Sequence, residues 1–556
     1  MIKIFYKFFN LIRLYYQTLK YLKKDQFLYR FKKIFTRKIY PKLYIQKRRN
    51  FINDPKEFIK KKNIIEDENF SFAGIKENIL TNLKWIDDKK PNLWIYNLNY
   101  FDFLNSESGN ENNLIFDKVL EDWISKNKDI KQLSWDPYPI SLRLVNWIKW
   151  MIVHKKYNNI FDDSLILQTE YLYKNIEFHL GGNHLFSNSK ALIISGLFFQ
   201  GKRSKIWYEK GMNIFLKEID KQFLDDGGHF ELSPMYHAIL LEDVLDIINF
   251  HLAFKKKSIN KLEEKVLKML NWLKIMTHPD GEISFFNDCS EGIASRYEEL
   301  NSYADKLGFR SSFSKEKINI LENTGYTNIS SDNYNLIVDR ASIGPDFLPA
   351  HGHADCLSFE LSLFGKRFIV NPGISTYQDN LDRRYERSTQ SHSCLSINDK
   401  NSSEVWSSFR VAKRAKVYDI KNSFNEDVIN LSASHDGFNE KSEINLYSRT
   451  WKIYKDKMEI IDKIEGNGLR DVSIYFPLSP EVEIFRKEEK EIFFKFFEKN
   501  IFFKFSSSDN SKFSLTCDPH YYCKKIGEKI NTSKIKISGT VKIPIEISTE
   551  FIWEKK

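Results

Sequence analysis

Between Ala350 and Phe359 the chain reads Ala-His-Gly-His-Ala-Asp-Cys-Leu-Ser-Phe, two histidines two residues apart with an aspartate two further on. Leu357, Phe359, Leu361 and Leu363 then alternate with Ser358, Glu360 and Ser362, the period of a half-buried strand. The histidines therefore stand at or just before a strand. If the pleat extends back to them, His351 and His353 share a face and Gly352 leaves room for something to approach. Imidazoles presented in this way can hold a ligand or a metal ion, or move a proton. Two polar residues in a turn before a strand are the alternative that this segment alone leaves open.

Three further segments carry residue types able to work with that pair. Gly181-Gly182-Asn183-His184 puts Asn183 and His184 directly after a glycine turn, at the start of a helix whose free N–H groups favour negative charge. In Asp226-Gly227-Gly228-His229-Phe230-Glu231-Leu232-Ser233-Pro234-Met235-Tyr236-His237, Ser233 reads as an N-cap and Pro234 as a first-turn proline, whose missing N–H costs nothing there. Tyr236 falls in the same turn. Trp135-Asp136-Pro137-Tyr138-Pro139 with Arg143 groups aromatic rings with a cation, a set suited to stacking on sugar rings. Each segment also has a structural reading: a cap for Asn183, a half-buried aromatic for Tyr236, ordinary core for Trp135.

The elements that must position these residues change along the chain. From about residue 65 to 325 apolar residues recur at helical spacing, as in Ile140, Leu144, Trp147 and Ile148, or Val244, Ile247 and Ile248. Beyond residue 330 the texture is that of strands. Gly365-Lys366 turns the Phe359 strand into Phe368-Ile369-Val370, and Glu498-Lys499-Asn500 separates the two arms of a hairpin. Ile535-Lys536-Ile537 and Val541-Lys542-Ile543 alternate around Gly539. Helices followed by strands indicate successive domains, not a βαβ sheet. The chain, 556 residues and 42% hydrophobic, can bury cores for more than one. Five cysteines without a CxxC pair define neither a disulfide framework nor a thiolate metal site. With no GxGxxG, P-loop or GxSxG sequence, nucleotide and serine-hydrolase chemistry lack their usual anchors.

The net charge of +11 is unevenly placed. Residues 1 to 62 carry nineteen Lys or Arg against Asp25, Asp54 and Glu57, +16 in all, which leaves −5 for the remainder. Within this basic arm Phe8, Ile12, Tyr15, Leu19 and Leu22 follow helical spacing with Lys7, Arg13, Lys20, Lys23 and Lys24 between them. Such a helix suits an anionic membrane surface or another protein, or packs on its own domain. Its longest uncharged run, Leu14 to Leu19, is far short of a membrane span, and no signal peptide is evident. A nucleic-acid partner is not expected.

Taken in order, GGNHLFSNSKALIISGLFF, DGGHFELSPMYHAILLEDVLD, HGHADCLSFELSLFGKRFIVNPG and SEVWSSFRVAKRA resemble the heparinase II/III-like polysaccharide lyases, and more closely the members found among bacterial surface-polysaccharide genes. The resemblance runs from about Trp94 to residue 475. It implies an α+β multidomain fold in which, after the basic arm over 1–62, an incomplete (α/α) toroid over 63–325 is followed by an antiparallel β-sandwich over 326–556, with the active site between these two. It implies β-elimination at a uronic acid, in which Asn183, with His184 beside it, neutralises the carboxylate, Tyr236 acts as acid and conceivably as base, and His351 is the catalytic histidine. Trp135, Tyr138, Arg143, Glu231 and Arg384 form the expected substrate-binding set.

The resemblance further implies a zinc site built from His353, His392 and, at the place of an acidic ligand, Asn371. A neutral amide is a poorer zinc ligand than a carboxylate, so weak binding in a structural role is expected. Asp355 could substitute as ligand or orient His353. The partner implied is an acidic polysaccharide or its lipid-linked precursor, with peripheral membrane contact through the arm. The implied place is the cell envelope, with the cytoplasmic face of the inner membrane as the alternative. A non-catalytic sugar-binding component of polysaccharide assembly is the competing function. The uronic acid, the linkage and the stereochemistry of elimination are not legible.

Overall fold

The computed structural model describes the chain except residues 1, 36–38, 63–64, 67–68, 79–82, 108–112, 256–258, 260–261, 312, 440–445, 510 and 554–556. Helices α1 (Ile2–Leu19) and α2 (Lys24–Phe35) come first. The expected helical stretch opens instead with a small antiparallel sheet of Ile65–Glu66, Asn69–Phe72 and Ile75–Asn78. Nine helices are then described: α3 (Asn92–Tyr100), α4 (Asn113–Lys126), α5 (Pro137–His154), α6 (Asn159–Lys174), α7 (Gly182–Phe198), α8 (Lys202–Gln222), α9 (Pro234–Lys255), α10 (Leu262–Ile275) and α11 (Tyr297–Lys306).

Local sequence explains where these helices start. Pro137 opens α5, and the Asn158 side chain caps α6 by accepting from the Ile160 N–H. At α9 the Ser233 hydroxyl accepts from the Tyr236 N–H at 3.2 Å. α7 and α9 are buried nearly all round, the mark of central helices, and their polar residues are buried with them. Within α7 only His184 escapes burial. One hydrophobic core joins these helices and contains Trp94, Trp123, Trp147, Trp150 and Trp207.

Two residues expected to meet substrate belong to that core. Trp135 is 3% exposed and donates its indole N–H to the Asn127 carbonyl. Arg143 is fully buried; it donates to Gln168 Oε1 at 2.7 Å and to the carbonyls of Asn99 and Ser134 at 3.0 and 2.9 Å, with its guanidinium over the Trp123 ring. Pairing an aromatic cluster with a cation describes a packed helix junction as well as it describes a sugar site, and here burial decides for the junction.

Past the helices all the main strands are antiparallel. A five-stranded sheet (Ile318–Leu321, Tyr326–Ser330, Tyr334–Asp339, Phe359–Leu363, Lys366–Ile369) shares one hydrophobic core with a ten-stranded sheet. The hairpins expected at Gly365 and near Lys499 both form. Gly539 is no break: Ile530–Trp553 is a single strand that pairs with Lys457–Pro477 for most of its length. At Gly539 a Cβ would meet the Lys512 carbonyl oxygen at 2.7 Å, so the glycine serves close packing.

The connection between α10 and α11 forms the seam between the two parts. His278 Nε2 meets Glu360 Oε2 at 2.9 Å, Asp280 accepts from Arg367 at 2.8 Å, and the Asp288 N–H donates to the His351 carbonyl at 3.1 Å. Residues 40–61 are also tied down, through pairing of Lys47–Arg48 with Phe199–Gln200 and a 2.9 Å ion pair from Lys61 to Glu242.

Two expectations follow. Arg143→Gln leaves carbonyls without their charged donor, and should cost roughly 2–4 kcal/mol in denaturation while leaving the KM of the folded protein unchanged; a raised KM at unchanged stability would restore the substrate-binding role. At Asp280 burial raises the carboxyl, but the Arg367 guanidinium outweighs it and holds the pKa down to about 2. The stabilisation is thus complete above the unfolded pKa of about 4 and is lost as pH falls through the folded value. Asp280→Asn should remove on the order of 1–2 kcal/mol at pH 7 and little at the acid end, as measured by melts across pH.

Candidate active site

The junction of the helical and β parts gathers residues from six separate stretches, around Tyr138, Asn183, Tyr236, Asp288, His351 and Tyr377. Tyr236, in the first turn of α9, places its hydroxyl 2.9 Å from that of Tyr377, and its ring 3.9 Å from the imidazole of His351. Tyr377 lies on a loop of the β part and stacks on Phe409. Burial, reinforced by the neighbouring Tyr377 and Asp288, pushes the Tyr236 hydroxyl well above the ordinary tyrosine range. It is a protonated group, able to donate.

Asp288 organises the β side of the site. Its Oδ2 accepts from His351 Nδ1 at 2.8 Å and its Oδ1 from His353 Nε2 at 2.9 Å, while the Arg383 guanidinium grips both oxygens. Burial would raise this carboxyl, but Arg383 and the hydrogen bonds from His351 and His353 hold it well below the usual range. Because an ionised carboxylate only accepts, His351 must carry its proton on Nδ1. That leaves Nε2 on the side of Glu231, 3.6 Å from its Oε2. No pleat sets this direction, since residues 351–358 form turns. Gly352 admits backbone and not ligand: a Cβ there would stand 2.5 Å from the Ile343 carbonyl oxygen.

On the helical side Asn183 occupies the first turn of α7, with its amide interacting with the Tyr138 hydroxyl. His184 stacks on Tyr138 at 4.3 Å and meets Glu177 at 3.2 Å. Glu231 is buried, and burial raises its carboxyl despite His351 and His184. Its Oε1 has no hydrogen-bond partner. Gly182 makes this packing possible, since its φ is +50° and a Cβ would lie 2.5 Å from Glu231 Oε1. The site therefore sets a helix N-terminus and an amide, suited to a carboxylate, beside a protonated phenol and the Nε2 of an imidazole anchored at Nδ1.

Of the expected residues, Asn183, His184, Tyr236, His351, Tyr138 and Glu231 come together, whereas Trp135 and Arg143 do not. Arg384 is exposed and pairs with Asp379 at 2.9 Å; its neighbour Arg383 turns inward to Asp288. Adjacent residues on a helix diverge by about 100°, and the sequence does not show which one faces in. Asp288, Tyr377 and Glu177 were not anticipated. Asp288 sits in Phe286-Asn287-Asp288-Cys289, which has no periodic or motif signal.

His353 and His392 do meet, Nδ1 to Nε2, at 3.1 Å. The far nitrogens, His353 Nε2 and His392 Nδ1, face acceptors, the Asp288 carboxylate and the Ser388 carbonyl. Both facing nitrogens are then lone pairs, and burial drives each pKa down to about 4, keeping the rings neutral. Lone pairs so close suit a small cation. The buried Asn371 side chain makes no hydrogen bond through either polar atom, and so is open to ligation but offers no charge. Among the described residues no group of three or more His, Cys, Asp or Glu is placed to hold a metal. Asp355 neither joins these rings nor orients His353, whose partner is Asp288.

Comparison with known proteins accords with this arrangement. A family model described as heparinase II/III N-terminus matches residues 96–314, and one described as heparinase II/III-like, C-terminal, matches 315–553. A heparin-sulfate lyase of Bacteroides stercoris is 25% identical over 246 residues, 40% of this chain and 36% of the relative. A heparin-sulfate lyase of Pedobacter heparinus is 23% identical over 324 residues, 50% and 47% of the two chains. The chain thus spans less than half the length of these curated relatives. A crystal structure of heparinase III superposes with a TM-score of 0.69 at 17% identity, covering 86% of this chain and 81% of that one, a likeness of fold. With both family models joined end to end across the two parts that build the site, the chain belongs to the heparinase II/III-like family.

Proposed function

We propose that this protein is a polysaccharide lyase that cleaves a uronic-acid-containing chain by β-elimination. The observation that carries the reading is the convergence of Asn183, Tyr236 and His351 at one site, with His351 held through Nδ1 by Asp288 and its Nε2 on the side of Glu231. Asn183 and the α7 N-terminus receive the uronate carboxylate, which stabilises the enolate-like charge that develops as the C5 proton leaves. His351 Nε2 accepts that proton. Tyr236 donates its phenolic proton to the departing O4, and Tyr377 holds the phenol in position through the 2.9 Å contact. The C4–O4 bond breaks as the C4–C5 double bond forms, so atoms and charge balance without a cofactor. Glu231 Oε1 is available to a substrate hydroxyl.

The substrate we infer is an acidic surface polysaccharide or its lipid-linked precursor, met at the cell envelope. Heparin-sulfate lyases among the relatives support an acidic polymer. Closure of the helices into an incomplete (α/α) toroid under a β-sandwich is the architecture we infer for the pair of domains, supported by the heparinase III superposition. His353, His392 and Asn371 would hold zinc, which would tie the β-part loops together and take no part in the elimination.

Incubation with a panel of uronate polysaccharides tests the reaction directly, since the unsaturated product absorbs in the ultraviolet; saturated ends would indicate hydrolysis. Tyr236→Phe keeps the ring and should lower kcat by about 10²–10⁴-fold, and full activity would remove Tyr236 from the chemistry. Tyr377→Phe should cost less, lowering kcat with KM nearly unchanged. For the metal, elemental analysis should find substoichiometric zinc that chelators strip easily, and Asn371→Asp should raise occupancy. Stoichiometric, chelator-resistant zinc in the unmodified protein would contradict this.

A further inference from the structure

Only part of the expected aromatic face of the arm is spent on packing: Tyr15 packs on Trp406, while Phe8 and Ile12 stay exposed. Phe8, Phe9, Ile12 and Tyr16 of α1 and Leu28 of α2 are 49–67% exposed. The helices are held at three points, one of them through Tyr15 of the expected stripe. Tyr15 packs on Trp406 at 5.0 Å and accepts from Arg410 at 2.8 Å, while Arg13 donates to Glu404 at 3.0 Å. Lys23 lies over Phe347 at 3.6 Å, and Gln26 donates to the Phe347 carbonyl at 3.2 Å. Tyr29 stacks on Phe178 at 4.8 Å.

All three points adjoin residues of the site. Arg410 follows Phe409, which lies 6.1 Å from His351 and stacks on Tyr377. Phe347 packs on Phe230, next to Glu231, and Phe178 follows Glu177, the partner of His184. The arm thus bridges the helical and β walls beside the catalytic groups and turns Phe8, Phe9, Ile12 and Tyr16 outward.

We propose that this outward face is a seat on an anionic lipid surface, and that the site opens at that surface onto a polysaccharide tethered there; the second clause rests on the lyase reading. Charge selects the occupant. From Ile2 to Phe35 there are nine Lys or Arg and a single acid, Asp25. Anionic headgroups match this field, and aromatic rings settle at the headgroup level. A second copy of the same face would bring two such positive surfaces together.

The test uses the full chain with phosphatidylglycerol–phosphatidylcholine vesicles and with vesicles of phosphatidylcholine alone. The protein should co-sediment with the anionic vesicles, releasing as salt rises, and at least tenfold less with the neutral ones. Phe8→Ser combined with Phe9→Ser, Ile12→Ser and Tyr16→Ser should weaken binding at least tenfold, as should Lys20→Glu with Lys24→Glu. Both variants should cleave a soluble uronate oligosaccharide at the parental rate. A vesicle-anchored oligosaccharide should be cleaved faster than the free one by the parent, with that advantage lost in the variants. Equal binding to both vesicle types, or undiminished binding by both variants, overturns the seat. So does a concentration-dependent dimer that the serine substitutions dissolve. Loss of elimination on every substrate with vesicle binding intact would instead overturn the lyase reading and leave the seat standing.

Discussion

A negative charge sealed from water constrains the whole site. Asp288 is fully buried and ionised, and an unpaired buried carboxylate costs several kcal/mol. Its four acceptor positions are taken by the two arms of Arg383 and by His351 and His353. The acid comes from the helical part and all of its side-chain partners from the β part. Charge compensation therefore fixes how the two parts meet, the tautomer of His351 and the direction of its Nε2. His353 is turned toward His392 by the same carboxylate, so the His351 imidazole and the candidate metal pair share one anchor.

The helical wall depends on a second set of buried charges. One and two turns below Asn183, α7 carries Ser187 and Lys190; below Tyr236, α9 carries Asp243 and Asp246. Lys190 meets Asp243 and Asp246 at 2.7 and 2.6 Å, Ser187 donates to Asp243, and Lys149 of α5 joins Asp246 at 2.6 Å. Ion pairs of this kind add little net stability. We read them as fixing the register of α7 against α9, two helices buried nearly all round. The first-turn residues Asn183 and Tyr236 inherit that register.

Much of this was legible in the chain because it is local. Helix starts at Pro137, Ser233 and Gly181-Gly182 follow from caps, proline and positive φ. The strand after His353 follows from two-residue alternation, and the aromatic stripe of α1 from its spacing. The motif order around Asn183, Tyr236 and His351 marked the residues that do come together. Burial was harder to read. Trp135 and Arg143 had the composition of a sugar site and the location of a core, since ring and cation serve both.

By itself the sequence determined the passage from helices to strands along the chain, the helix start at Ser233-Pro234, that charge concentrates in the first 62 residues, and which residues could bear the chemistry. Tertiary structure alone decided that Asp288 anchors His351 and His353, that Arg383 and not Arg384 faces inward, that Tyr377 joins Tyr236, and that Phe8, Phe9, Ile12 and Tyr16 of α1 stay outside while Tyr15 packs on Trp406. The physical reason is range. Periodicity and capping act over a few residues and leave a trace at that spacing, whereas a buried charge is satisfied by whatever donors the fold brings within 3 Å. For Asp288 those donors lie 63 to 95 residues away in the chain.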